Sequence, residues 1–271
     1  VLYWADIDGR SINRLDPATA TITSRSLTTR PGSFVLTDVP GRMVVGTEHE
    51  LVIFDWESGH VASWLELEEA GTGNRMNDGR CDPAGRYVVG SMYEDTSAGR
   101  ATGELHRVRS DGVTEILRSG IGVTNGLAFD AERGRMYFAD SPTERVVVFD
   151  YDIDTGAMTN ERLFFDYRDI PGKPDGACLD ADGCYWSASV HGWAVIRVTP
   201  NGRVDRRIDL PVAKPSMPCF GGHDLDTLYV TSIGVRGATP SEPATDGFEH
   251  GHLLAVDAGV QGRPEPIFQP T

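Results

Sequence analysis

The chain of 271 residues reads as an all-β protein, a six-bladed β-propeller with four-stranded antiparallel blades around a central channel. Three observations predict this. A β-patterned segment recurs six times, turn signals precede most copies, and no stretch keeps helical periodicity over a window of about 11 residues.

The recurring segments are Leu2–Ile7 (LYWADI), Met43–Glu48 (MVVGTE), Tyr87–Met92 (YVVGSM), Met136–Ser141 (MYFADS), Tyr185–Val190 (YWSASV) and Leu228–Ile233 (LYVTSI). Their starts lie 41, 44, 49, 49 and 43 residues apart, within the spacing of about 40–50 at which propeller blades repeat. The turns before them are VPGR at 39–42, DPAGR at 82–86, DAERGR at 130–135, DADG at 180–183 and HDLD at 223–226, rich in the Gly and Asp that turns require. Ahead of the turn lies a short apolar strand, clearest as GLAFD and GACLD. After the shared segment comes a further strand (LVIFDW, GELHRV, RVVVFDYD, AVIRVTP) and often a more polar one (HVASWLEL, GVTEILR, GRVDRRIDL). One blade is therefore an inner strand, the shared segment, a third strand and an outer strand. Closing six of them removes open sheet edges. Residues 1–271 form one such domain. The first blade lacks an inner strand, because nothing precedes Leu2, so the ring-closing segment is expected upstream of Val1.

Charge and composition narrow the partners. Lys and Arg total 25 against 40 Asp and Glu, a formal charge of −15, which repels phosphate backbones and anionic lipid. Nucleic acid and membrane are therefore not expected as partners. No run approaches the roughly 18 apolar residues of a membrane helix. The four cysteines (Cys81, Cys178, Cys184, Cys219) lack metal-site spacing, so a reducing, cytoplasmic setting is expected, with a monomer or small homo-oligomer as the assembly. Neither a GxSxG elbow nor a phosphate loop occurs.

The inner strands carry the informative polar residues. Counted back from the second residue of each shared segment, Asp78, Asn125 and Asp175 stand at offsets 10, 12 and 11, each followed by Gly. Ser33 and Pro218 occupy that place in the second and sixth repeats. A single Asn-Gly or Asp-Gly pair is a turn signal. Here two of the pairs begin an apolar run and all three share register, which predicts side chains converging on the channel. Converging Asp and Asn oxygens suit a hard cation such as Ca2+, Mg2+ or Mn2+. Arg75 precedes Asn77 by two residues, so both project from the same strand face, a pair suited to hydroxyls or a carboxylate. The loops after the second strands, at 92–102, Ser141–Arg145, His191–Trp193 and 233–251, are expected around the entrance.

The stretches NRMNDGRCDPAGRYVVGSM (74–92), GVTNGLAFD (122–130), KPDGACLDADG (173–183) and PCFGG (218–222) resemble the senescence marker protein (regucalcin), gluconolactonase and luciferin-regenerating enzyme family, from Leu2 to about Gly259. The resemblance implies a divalent metal, Ca2+ foremost, with Zn2+, Mn2+, Mg2+ or Fe2+ as alternatives. It implies Asn125 and Asp175 as metal ligands, with a third ligand, a Glu, expected upstream of Val1. It further implies Asp175 as general base, and Arg75, Asn77 and Asp95 as contacts to a small sugar lactone. Two other readings stand beside hydrolysis of that lactone: a non-catalytic calcium-binding or regulatory propeller, and a protein-interaction propeller, which Tyr3-Trp4-Ala5-Asp6 faintly suggests.

Overall fold

The computed structural model describes residues 1–234 and 249–269. It is nearly all β, a six-bladed propeller fold of six antiparallel sheets in chain order, and it divides into two compact units, Val1–Thr124 with Glu265–Thr271, and Asn125–Pro264.

The first unit holds three sheets. The first is β1 (Leu2–Asp6), β2 (Ser11–Asp16) and β3 (Thr21–Ser26). The second is β4 (Ser33–Leu36), β5 (Arg42–Gly46), β6 (Glu50–Asp55) and β7 (Val61–Glu66). The third is β8 (Asn74–Cys81), β9 (Tyr87–Tyr93), β10 (Gly103–Val108) and β11 (Thr114–Ile121). The second unit continues with β12 (Thr124–Asp130), β13 (Arg135–Asp140), β14 (Arg145–Tyr151) and β15 (Met158–Asp166). Then come β16 (Lys173–Leu179), β17 (Tyr185–Val190), β18 (Ala194–Val198) and β19 (Val204–Asp209), and finally β20 (Pro215–Gly221), β21 (Thr227–Ser232) and β22 (Leu254–Asp257). Four sheets have the expected four strands. The first and sixth have three among the described residues.

Burial explains why each strand has its composition. β18 (AVIRV) is buried at every position, whereas β3 (TITSRS) is exposed at every position. A strand packed on both faces needs a continuous apolar run, and an outermost strand does not. In the first unit Val35, Val44, Leu51, Met76, Tyr87 and Val89 share one core cluster. In the second, Ala128, Tyr137, Ala177 and Tyr185 form one cluster and Trp186, Phe220 and Leu228 another. Each fully buried large side chain contributes about 1.5–3 kcal/mol.

The turn aspartates are buried anchors. Asp82, Asp130 and Asp180 are at most 1% exposed. Asp82 accepts from the amides of Ala84 and Arg86, each at 2.9 Å. Asp180 accepts from Cys184 N at 2.9 Å, Trp186 Nε1 at 2.9 Å and Arg197 Nε at 2.7 Å. Arg197 also meets Asp205 and Asp182, so its buried charge is matched three times over.

Beyond β22 the described residues form no further strand. Pro264 and Pro266 lack the N–H a ladder needs. Phe268 N instead donates to Leu36 O at 2.8 Å, and the Phe268 ring packs edge-on to Trp64 in the first-unit core. All four cysteines are free thiols; burial pushes Cys184 up to about 11. Among the described residues no helix is long and apolar enough to cross a membrane.

Candidate functional site

The inner strands of three sheets share an irregularity. In β8, Met76 faces Ser91 and Gly79 faces Val89, so Asn77 and Asp78 stand opposite the single residue Gly90. In β16, Pro174 faces Ser189 and Ala177 faces Ser187, leaving Asp175 and Gly176 opposite Ala188. In β20, Pro215 faces Ser232 and Pro218 faces Val230, leaving Ser216 and Met217 opposite Thr231. A bulge of two residues against one bends the strand and redirects its side chains.

These pairings correct the register expected from sequence. Asn77, Asp175 and Ser216 are the equivalent residues. Asp78 aligns with Gly176, and Pro218 lies outside its bulge. Counting back through a hairpin assumes ladders of one length. Between bulge and turn the β20–β21 ladder carries one pair more than the β16–β17 ladder, Gly221 with Thr227, which moves the count by two residues although the turns themselves are equally long. Asp78 is buried at 4% exposure and its Oδ1 accepts from Gly79 N at 2.8 Å.

In the second unit, Asn125 on β12 and Asp175 on β16 are connected through one hydroxyl. Asn125 Nδ2 donates to Ser141 Oγ at 2.8 Å, and Ser141 Oγ donates to Pro174 O at 2.6 Å. A hydroxyl has one proton. Because Ser141 spends it on a carbonyl, it must accept from Asn125, which fixes the amide with Nδ2 toward Ser141 and Oδ1 turned away. Asn125 is 6% exposed and Asp175 half-buried. Gly126 has φ +67°, and a Cβ there would stand 2.5 Å from the Tyr185 hydroxyl, which bonds Gly126 O at 2.9 Å. A Cβ on Gly176 would meet Met217 Cε at 2.5 Å and Ser216 O at 2.7 Å. Both glycines therefore permit close approach around the two polar side chains.

Tyr167 lies near Asp175. It is 1% exposed, its hydroxyl sits beside those of Ser187 and Ser189 without a well-formed bond, and burial, reinforced by the Asp175 charge, raises its pKa. On the donor chemistry, an amide and a carboxylate oxygen fit a hard divalent cation as a partial set. Among the described residues no three His, Cys, Asp or Glu side chains form a metal-ligand cluster.

In the first unit, Arg75 Nη1 donates to Asn77 Oδ1 and to Met76 O, both at 2.9 Å, and Asn77 Nδ2 donates to Thr124 O at 2.8 Å. Arg75 and Asn77 thus meet, both half-buried. Asp95 is exposed and caps the short turn Thr96–Ala98, accepting from Ser97 N at 3.1 Å and Ser97 Oγ at 2.5 Å. These bonds, the hydroxyl's foremost, hold its carboxyl below the usual range. His191 is exposed with φ +63°, and Trp193 stacks edge-on to His250 at 5.9 Å. The loop at 236–248 lies outside the described residues.

Sequence reasoning placed Ser141 where a shared segment meets the loop after it, gave it no role, and did not single out Tyr167, Arg30 or Glu94. Ser141 carried one faint signal, as the last residue of a shared segment. The others depend on contacts between distant residues.

The SMP-30/Gluconolactonase/LRE-like region model matches residues 1–234, and the chain belongs to that family. It is 35% identical to a 6-deoxy-6-sulfogluconolactonase of Pseudomonas putida, over 99% of this chain and 90% of that protein. It is 33% identical to a pentonolactonase of Haloferax volcanii, over 97% and 89%. Among solved structures it is similar to a luciferin-regenerating enzyme (TM-score 0.90, 28% identity, covering 98% of this chain and 91% of that one). It is also similar to a calcium-binding protein, regucalcin, of Agrobacterium tumefaciens (TM-score 0.86, 26% identity, 98% and 88%).

Proposed function

We propose that this chain is a divalent-metal-dependent lactonase that opens a small sugar lactone to the aldonic acid. The lactonase names of the relatives support hydrolysis of a sugar lactone. The observation that carries the finer reading is the Ser141 relay, which orients the Asn125 amide and ties it to the residue before Asp175.

In this reading Asn125 Oδ1 and the Asp175 carboxylate hold the cation, Ca2+ foremost, with the remaining ligands supplied outside this pair. When bound, such a cation supplies a Lewis acid to the lactone carbonyl. Asp175 takes the proton of the attacking water as general base. Water adds to the carbonyl carbon, the ring C–O bond breaks, the ring oxygen leaves as a hydroxyl and a proton is released with the carboxylate. Arg75 and Asn77 hold sugar hydroxyls through guanidinium and amide, and Asp95 offers a further acceptor. The free cysteines accord with a reducing compartment such as the cytoplasm.

The test is a panel of five- and six-carbon sugar lactones followed by acid release, with EDTA and metal add-back. Turnover lost with EDTA and restored by a divalent ion is expected. No turnover of any lactone contradicts the proposal. Cation binding without turnover supports the second reading, a non-catalytic calcium-binding protein, which the calcium-binding description of the regucalcin neighbour favours.

A further inference from the structure

Three carboxylate- and guanidinium-bearing side chains meet in the first unit from three separate segments. Arg30 lies on the connection between β3 and β4, Glu48 follows β5 and Glu94 follows β9. Arg30 engages Glu94 through both terminal nitrogens, Nη1 to Oε1 and Nη2 to Oε2, the second at 3.0 Å, and its Nε donates to Glu48 Oε1. Arg30 and Glu48 are 22% exposed and Glu94 is 50% exposed. All three nitrogens of the guanidinium thus donate to one of two carboxylates.

The strand register sets Glu94 next to Arg75. Arg75 pairs with Met92, and Glu94 N donates to Gly73 O at 2.9 Å, continuing the same ladder. Residues two apart on a strand share a face, so Glu94 is the diagonal neighbour of Arg75 across the pair. At about 7–8 Å between backbones, long side chains reach each other. The pKa of Glu94 is lowered first by its bond to Arg30, and the Arg75 charge contributes in the same direction. Arg75 nevertheless directs Nη1 to Asn77 and Met76. Glu48 also lines a cavity of about 530 Å³ with His49, Glu50, Glu66, Glu68 and Glu69, so Arg30 supplies positive charge to a strongly acidic neighbourhood.

We propose that Arg30 is a positioning residue: by clamping Glu94 in both oxygens it keeps that carboxylate from capturing Arg75, and so leaves Arg75 on Asn77 for the substrate. This rests on the reading in which Arg75 and Asn77 hold the sugar. Arg30 needs no contact with the lactone to act. Without it, Arg75 stands within diagonal reach of the released Glu94, and its Nη1 bonds to Asn77 and Met76 go to neutral oxygens, which are the weaker acceptors.

The experiment compares wild type, Arg30→Ala, Glu94→Ala and the double variant Arg30→Ala/Glu94→Ala. Steady-state kinetics are measured on the best lactone of the panel, and thermal melts confirm folding. Arg30→Ala is expected to raise KM about tenfold, the loss of one charge-assisted hydrogen bond to substrate, with kcat changed far less. The double variant should return KM close to wild type, because the competing carboxylate is gone. A purely structural clamp predicts the reverse, a double variant at least as impaired as Arg30→Ala, and that result overturns the proposal, as does an unchanged KM in Arg30→Ala. Arginine side-chain NMR on the same four proteins reads Arg75 directly: its Nε–H resonance should move in Arg30→Ala and return in the double variant. If wild type opens no lactone, the lactonase reading fails while the spectra still decide the positioning. An Arg75 resonance indifferent to Arg30 overturns it whatever the activity. Should Arg30→Ala unfold, Arg30→Gln, which keeps the size but not the charge, replaces it.

Discussion

Ser141→Ala removes one oxygen atom from the second unit and should disable the proposed metal pair without touching either ligand. Two bonds vanish together, Asn125 Nδ2 to Ser141 Oγ and Ser141 Oγ to Pro174 O. Asn125 is 6% exposed, so solvent replaces the lost partner poorly. A buried polar group deprived of a partner costs about 1–3 kcal/mol, and in a chain of this size each kcal/mol lowers Tm by roughly 2–4 °C. The larger effect falls on orientation. With no hydroxyl to accept from Nδ2, the bond that sets which way the amide faces is lost, and a turned-over amide presents NH2, which cannot ligate a cation. Loss of a partner that orients a ligand typically lowers metal affinity or activity about 10–100-fold. The assay is calorimetric titration with Ca2+ beside kcat/KM on the preferred lactone. Ser141→Thr keeps the hydroxyl and should retain most of both. Metal affinity and kcat/KM within about twofold of the parent in Ser141→Ala, far inside the expected loss, would refute the relay argument.

Two further outcomes follow from the buried charges. Asp180→Ala removes the innermost of three carboxylates on Arg197, which keeps Asp205 and Asp182, and deprives Cys184 N and Trp186 Nε1 of their acceptor; each buried polar group left without a partner costs about 1–3 kcal/mol, visible as a lower denaturant midpoint with no direct effect on metal affinity. His106 is buried with Nε2 3.7 Å from Glu104 Oε2, and burial holds its pKa below the ordinary 6.5 despite the opposing pull of Glu104 and Glu68. The unfolded chain then binds the proton first as pH falls, so His106 subtracts stability as pH drops below 6.5 and nothing above it. Denaturation across that range should show His106→Leu losing less stability toward acid than wild type, and parallel curves would contradict the assignment.

Much of the fold was legible because the repeat is written in residues that must be apolar or must turn. The segments from MVVGTE to LYVTSI mark the second strand of five sheets, LYWADI marks the first strand of the remaining one, and GLAFD and GACLD mark inner strands. The polar outer strands, β3 above all, follow from exposure. The bulges were not legible. A slip of one residue leaves the alternation on either side intact, so the sequence placed Asp78 where the ladder places Asn77. Nor could spacing anticipate that β22 would be followed by a tail delivering Phe268 to the core of the first unit. At the candidate site, Arg75 and Asn77 share a face because two residues is the period of a strand, which any sequence declares. The hydroxyl of Ser141 reaching both Asn125 and Pro174, and the Arg30 clamp on Glu94, join residues 16 to 64 positions apart. Such contacts are set by how sheets pack, and no local pattern encodes them.

The most direct measurement is kcat/KM of Asp175→Asn on the preferred lactone, taken beside a circular dichroism spectrum and a melt. Replacing the carboxylate with an amide keeps the shape at the bulge and removes both the charge and the proton acceptor. A fall of at least about a hundredfold, the worth of a general base, with an unaltered spectrum is the expected result. Turnover at the parental rate from a folded Asp175→Asn protein would contradict the account.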